Sequence, residues 1–136
     1  MATSRITVGK VMFNRIPAMA RALSTDSDKI VQKTALDVQA EVVTSMQGAR
    51  SGRRYGDHRA SAPGEKPARD MGTLVGSIGV QSKFNHATVF ASSAHAPHLE
   101  YGTRNMAPRP FMRPAARKFN AIFQFAVKAM IDRATR

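Results

Sequence analysis

Residues 77–92, Ser-Ile-Gly-Val-Gln-Ser-Lys-Phe-Asn-His-Ala-Thr-Val-Phe-Ala-Ser, decide the fold. Two short runs, Ser77–Gln81 and Thr88–Ser92, contain β-branched and aromatic residues, and the turn-prone Lys83-Phe84-Asn85-His86 lies between them. This pattern predicts an antiparallel hairpin. His98-Leu99-Glu100-Tyr101 has the same texture and reads as a third strand, and Arg5-Ile6-Thr7-Val8 near the N-terminus reads as a fourth. The segment 71–103 is therefore expected to be a small sheet.

The chain on either side of the hairpin is helical in pattern. Upstream, Val31, Ala35, Val38, Val42 and Met46 recur at the period of one helical face. Ser24, Thr25, Asp26 and Ser27 offer N-caps and Gly48 a stop. Lys29, Lys33, Asp37 and Glu41 fall on another face, where they stay in water and partly pair. Residues 13–23, with Pro17, extend this helical region to 13–47. Downstream, each proline in Asn105-Met106-Ala107-Pro108-Arg109-Pro110 disfavours helix in the residue before it, so 104–113 reads as an extended connector. Pro114 suits the first turn of a closing helix over 114–135. Its apolar stripe is Ala115, Phe119, Ile122, Ala126 and Met130, widened by Phe123, Val127 and Ile131, with Phe125 off the stripe. The expected fold is a single α+β domain: an antiparallel sheet of three to four strands packed against a long N-terminal helix and a C-terminal helix, with a long basic loop.

The chain has 136 residues, which suits one domain, and carries 21 Lys+Arg against 9 Asp+Glu for a formal charge of +12. The absence of Cys excludes a disulfide-stapled miniprotein and a thiolate zinc site. No uninterrupted apolar run is long enough for a membrane span, and the N-terminus lacks the apolar core of a secretory signal, so synthesis in a cytosol is expected. The charge is localised. Residues 1–49 carry net +2, 50–70 net +3, 71–103 zero, and 104–136 net +7. A strongly basic chain is expected to meet nucleic acid, an acidic protein surface or anionic lipid.

Residues 48–70 hold four Gly, two Pro and almost no apolar side chain beyond Ala. A stretch of this composition cannot offset its ordering entropy by burial, and it reads as a mobile basic loop that orders in an assembly. Its Arg50, Arg53, Arg54, Arg59, Lys66 and Arg69 are candidates for contact with DNA or a neighbouring subunit. No helix-turn-helix, RNP or KH pattern accompanies them, so any DNA contact would be to phosphates without base specificity. His95-Ala-Pro-His98 lacks a converging set of further ligands, and no metal or other cofactor is expected. A nucleophile elbow, a P-loop and a convincing pair of catalytic carboxylates are all absent, and the chain reads as a non-enzyme.

Residues 98–115, His-Leu-Glu-Tyr-Gly-Thr-Arg-Asn-Met-Ala-Pro-Arg-Pro-Phe-Met-Arg-Pro-Ala, resemble the signature of the small neck or tail-completion proteins of long-tailed bacteriophages. In that family a short acidic-aromatic-Gly-Thr segment precedes a Pro-rich stretch ending in Arg-Pro-Phe and Pro-Ala. Upstream, Ala62-Pro63 and Gly72-Thr73-Leu74-Val75-Gly76-Ser77-Ile78 are similar to the family's Ala-Pro and Thr-Gly-x-Leu-x-x-Ser-Ile. The stretch from Ala62 to Leu74 is longer and more charged than usual, and Met71 stands where Thr is frequent. The resemblance covers about residues 13–131. It marks Glu100, Tyr101, Gly102, Thr103, Pro108, Pro110, Phe111, Arg113 and Pro114 as motif and assembly residues, with Phe111 as an anchor in the core or at a subunit joint. It implies a structural virion protein, made in the host cytoplasm, that sits in the neck or at the tail end. There it would form a homo-oligomeric ring, six-fold as first choice and twelve-fold as alternative, beside portal-adaptor, neck and tail proteins. Such a ring would complete the head-tail connection and help hold or pass double-stranded DNA. The alternative function is a basic nucleic-acid-binding module.

Overall fold

The computed structural model describes residues 8–48, 50–56, 58–65, 67 and 72–136. In chain order the elements are helix α1 (Val8–Ser45), strands β1 (Arg54–Tyr55) and β2 (His58–Arg59), the short helix α2 (Thr73–Gly76), strands β3 (Ile78–Lys83) and β4 (His86–Ala91), helix α3 (Ala96–Tyr101) and helix α4 (Met112–Thr135). The fold is α+β, with a long N-terminal helix, a C-terminal helix and a small antiparallel sheet.

The hairpin forms where its residues predict it. β3 and β4 pair antiparallel, Lys83 opposite His86 and Ile78 opposite Ala91. The turn is Phe84-Asn85, and Asn85 takes the left-handed backbone (φ 54°) that asparagine tolerates better than most residues. Two polar contacts latch this turn to α1: the Asn85 N–H donates to Asp28 Oδ1 (2.8 Å), and the Ser27 hydroxyl donates to Asn85 Oδ1 (2.6 Å).

Several expectations are corrected. The sheet has two strands among the described residues, not three or four. His98–Tyr101 is helical, because Pro97 starts a turn at the head of α3 and the tertiary role of Glu100 overrides strand propensity. Of the proposed fourth strand, residues 5–7 lie outside the described residues and Val8 already belongs to α1. Ser24–Ser27 do not start a helix. α1 runs through them and through Pro17, and the Thr25 and Ser27 hydroxyls bond back to the carbonyls of Arg21 and Ser24. α4 begins two residues earlier than expected, at Met112, which leaves Pro114 within its first turn.

The described residues of the basic segment 48–70 include regular structure that its composition does not predict. β1 and β2 form a miniature hairpin, Arg54 opposite Arg59. Polar groups at its base replace the apolar burial that the composition lacks. Arg50 Nη2 donates to the carbonyls of Ser45 (2.7 Å) and Pro67 (3.2 Å), joining the two ends of the loop. Glu65 accepts from the N–H groups of Ser51 and Ala62 and from the Ser51 hydroxyl. Gly52 closes against the returning strand, where a Cβ would fall 2.5 Å from the Ala60 carbonyl oxygen.

The core is built on α1. Val42, Met46, Leu74, Ile78, Ala96, Phe111 and Ala115 form one buried cluster. α1 packs against α4 and, on a separate strip, against β3 and β4. Of the two helices expected to pack against the sheet, α1 does so, while α4 docks chiefly on α1. The α1 stripe is as predicted, with Ala35, Val42 and Met46 buried. On α4, Ala115 and Met130 are buried and Phe125 lies outside the core as expected, but Ile122 is 51% exposed. Phe111 is 1% exposed, so within the chain it is an anchor of the core. Replacing it with Ala is expected to cost about 3–5 kcal/mol by transfer loss and cavity formation, measured by urea denaturation.

Candidate functional site

The motif segment is organised around one carboxylate. α3 ends at Tyr101, and Glu100 on its last turn is 5% exposed. Its side chain faces the start of α4. Glu100 Oε2 accepts from the backbone N–H of Phe111 (2.8 Å) and of Met112 (3.0 Å), and Oε1 accepts from that of Arg113 (3.0 Å). A helix leaves its first four N–H groups without intrahelical partners. Here three are bound by Glu100, and the fourth position is Pro114, which has no N–H to satisfy. The carboxylate also meets the positive end of the helix dipole.

Arg113 completes the node. Its Nε donates to Glu100 Oε1 (3.2 Å), and its guanidinium carbon lies 4.7 Å from the centroid of the Tyr101 ring, a cation–π contact on the outer surface. Tyr101 is itself 68% exposed. Burial raises the Glu100 pKa, but the three backbone N–H groups and Arg113 outweigh it, and the carboxyl titrates below its ordinary value.

The connector between α3 and α4 is fixed from both ends. Gly102 takes φ 75°, and a Cβ there would fall 2.8 Å from the Met106 carbonyl oxygen and 2.9 Å from the Pro108 nitrogen. A side chain at this position would meet both the positive φ and the close approach of the returning backbone, so the connector needs a glycine here. Thr103 N–H donates to the Met106 carbonyl (2.9 Å), and Arg109 N–H donates to that of Leu99 (2.6 Å). The Pro108 carbonyl accepts from Gly64 N–H (3.2 Å), which ties the connector to the Ala62-Pro63 segment. Pro110 lies half-buried beside Phe111 in sequence. The upstream match joins the same core: Leu74 and Ile78 cluster with Phe111 and Ala115. Two stretches far apart in sequence thus pack together in space.

The basic candidates divide differently. Arg50 is a structural clasp, as described above. Arg53, Arg54 and Arg59 are exposed on the small hairpin, with Arg54 Nε held to the Gly56 carbonyl (3.0 Å). Lys66 and Arg69 lie outside the described residues. Glu65, between these cations, is held at a pKa of about 2 by the Ser51 hydroxyl, the Ala62 and Ser51 N–H groups and the charge of Arg50, with desolvation working the other way. The loop therefore keeps that negative charge at ordinary pH. Lys118 pairs with Glu41 across α4 and α1 (2.9 Å).

Among the described residues, no group of three or more His, Asp or Glu side chains converges as a metal site, and no helix is long and apolar enough to cross a membrane. Sequence reading missed two features of the site. One is the capping role of Glu100, which a six-residue helix and the connector after it carry into place. The other is an apolar groove of about 430 Å³ that α1 floors with Val31, Ala35 and Val38, walled by Val89 of β4 and by Phe119 and Phe123 of α4. The α1 and α4 stripes each pointed to one wall, but nothing local showed that hairpin and helix stand apart. No protein-family model, curated protein or solved structure matches the chain.

Glu100→Gln replaces one acceptor with a donor facing N–H groups, and is expected to destabilise by about 1–3 kcal/mol at neutral pH. The depressed folded-state pKa makes the wild-type contribution complete above the ordinary carboxyl value of 4.5 and lost as pH falls through the lower folded value. The stability gap between wild type and Glu100→Gln, read from urea melts across a pH series, should therefore be widest near neutrality and narrow only in acid.

Proposed function

We propose that this chain is a non-enzymatic structural protein of a long-tailed phage virion, acting as a ring subunit in the neck or at the tail end. The observation that carries the reading is the Glu100 node. The segment that resembles the family signature is arranged for positioning, because its buried carboxylate is consumed by backbone N–H groups and by Arg113. Tyr101, beside that node, is 68% exposed, and further along α4 the single chain leaves Ile122, Phe125 and Ile131 51%, 74% and 48% exposed. Ile122 and Phe125, three residues apart on one face of α4, form an exposed apolar pair suited to docking on another protein surface. A closed ring needs one patch to meet a different patch on the next subunit. Six subunits are the first choice and twelve the alternative, with portal-adaptor, neck and tail proteins as neighbours.

The test is electron microscopy of phage lacking the gene. Filled or fillable heads and tails that fail to join stably are expected; normal infectious particles would rule the reading out.

A second reading, direct contact with duplex DNA, is favoured by the basic hairpin. Arg54 and Arg59 stand directly opposite each other and exposed. Like charges across a strand pair repel, and a polyanion laid over them would relieve that cost. Binding of the isolated protein to duplex DNA should then weaken with salt. In the Arg54→Ala, Arg59→Ala double variant the slope of log K against log salt should flatten by about 0.9 for each phosphate that the variant no longer neutralises. An unchanged slope would remove the hairpin from DNA contact.

A further inference from the structure

The sheet of β3 and β4 has two outer edges, and they differ. Ser92 N–H donates to the Ser77 carbonyl (3.0 Å), and bonded pairs alternate with unbonded ones along an antiparallel ladder. In the register of the hairpin this makes Gly79 with Phe90, Gln81 with Thr88 and Lys83 with His86 the bonded pairs. The backbone groups of Ile78, Val80 and Ser82 therefore face outward from β3, and those of Ala87, Val89 and Ala91 face outward from β4. On β3, α1 covers the start of the edge, where Gln39 Nε2 donates to the Ile78 carbonyl (3.0 Å). On β4, the N–H and carbonyl groups of Ala87, Val89 and Ala91 meet no partner among the described residues.

That open edge runs along the apolar groove. Ala87 and Val89 line the β4 wall, Ala116, Phe119 and Phe123 line the α4 wall, and both walls rest on α1. Three polar residues also line the groove, and two of them are already engaged. The Thr34 hydroxyl donates to the Ile30 carbonyl (2.8 Å), and Arg113 is held by Glu100. Asn120, on the α4 wall, makes no side-chain hydrogen bond among the described residues. The groove thus has unbonded backbone on one side, an unused amide on the other and an apolar floor between them. An open strand edge is a template for an extended chain, whose alternate side chains would enter the groove. A helix laid in the same place would leave the edge groups of β4 unbonded.

Charge narrows the choice of extended partner. Segment 104–136, which supplies the α4 wall, carries net +7, and Arg117 on it is exposed. A second copy would bring its own +12 to this edge, whereas an acidic chain meets opposite charge. We propose that β4 is the docking edge for an extended, acidic segment of another protein, which adds as a third strand and sends alternate apolar side chains into the groove. Asn120 bonds the outer backbone of that strand. Because the edge belongs to a single chain, the proposal stands whether or not copies of the chain form a ring.

The test uses the isotope-labelled full chain and a synthetic peptide, acetyl-Glu-Val-Thr-Val-Glu-Val-Glu-amide, read by amide hydrogen exchange and NMR shifts. Bound peptide should slow exchange of the Ala87 and Val89 N–H groups by about tenfold or more, leave Thr88 and Phe90 little changed, and shift the Asn120 side-chain amide. Ala87→Pro removes one outward N–H at a position that contributes no bond to the β3–β4 ladder, and should weaken binding about tenfold. Ala116→Phe fills the groove from α4, leaves the β4 edge untouched, and should weaken binding as well. The same peptide with Pro for its central Val should not bind. Absence of binding at low salt would overturn the proposal, as would binding that leaves Ala87 and Val89 exchange unchanged. A peptide that becomes helical on the protein overturns it too. Protection of Ala87 and Val89 that rises with the concentration of the protein alone would give the edge to a second copy and equally overturn it.

Discussion

One carboxylate and the three backbone N–H groups it accepts determine how the C-terminal half of this protein is arranged. Glu100 sits on a helix of six residues and reaches the first turn of a helix of 24. Because its two oxygens are shared among Phe111, Met112 and Arg113, the direction of α4 relative to α3 is set within hydrogen-bond tolerances. Everything that follows depends on that direction. Phe111 points into the core, Ala115 meets Val42, and Arg113 is left over the Tyr101 ring. A negative charge in a nearly dry site would ordinarily be costly, but here it is surrounded by donors and by the helix dipole.

Much of the architecture is legible in the sequence where short-range patterns control it. The β3–β4 hairpin and the buried stripe of α1 follow from side-chain pattern, whereas the connector expected to be extended over 104–113 contains a turn at Arg104–Asn105 and already enters α4 at Met112. The failures occur where distant contacts overrule local preference. His-Leu-Glu-Tyr at 98–101 has strand composition, yet it is helical, and from that helix Glu100 reaches the α4 terminus. Ser24–Ser27 are good caps, yet the hydroxyls of Thr25 and Ser27 turn back into a helix that continues in both directions. The basic loop is poor in apolar residues, which predicts mobility, but its order comes from Glu65 and Arg50. The bonding partners of those two side chains are largely backbone groups that no hydropathy pattern displays.

The motif positions are likewise identifiable in the sequence, but not what they do. Phe111 reads as an anchor, and within the chain it is one. Glu100 gives no local sign that it caps a helix whose first bound N–H lies eleven residues later. Of the basic candidates, Arg50 is structural, while Arg54 and Arg59 are displayed on a hairpin whose polar base holds them away from the core. Residues of one chemical type, drawn from one stretch of sequence, thus serve different purposes: Arg50 bonds carbonyls on two separate segments, whereas Arg54 bonds one two residues away.

The separation in sequence between Glu100 and the groups it binds has a bearing on how the molecule forms. Its partners lie only 11 to 13 residues away, whereas the Lys118–Glu41 contact that joins α4 to α1 spans 77. Closing the shorter loop costs less chain entropy, and Pro108, Pro110 and Gly102 already restrict its path. The Glu100 cap is therefore accessible to the C-terminal third of the chain before α1 is in place. The protein carries a local template for α4 that the long-range core completes, so the start of its last helix is specified by its own neighbourhood and not by the distant helix on which it comes to rest.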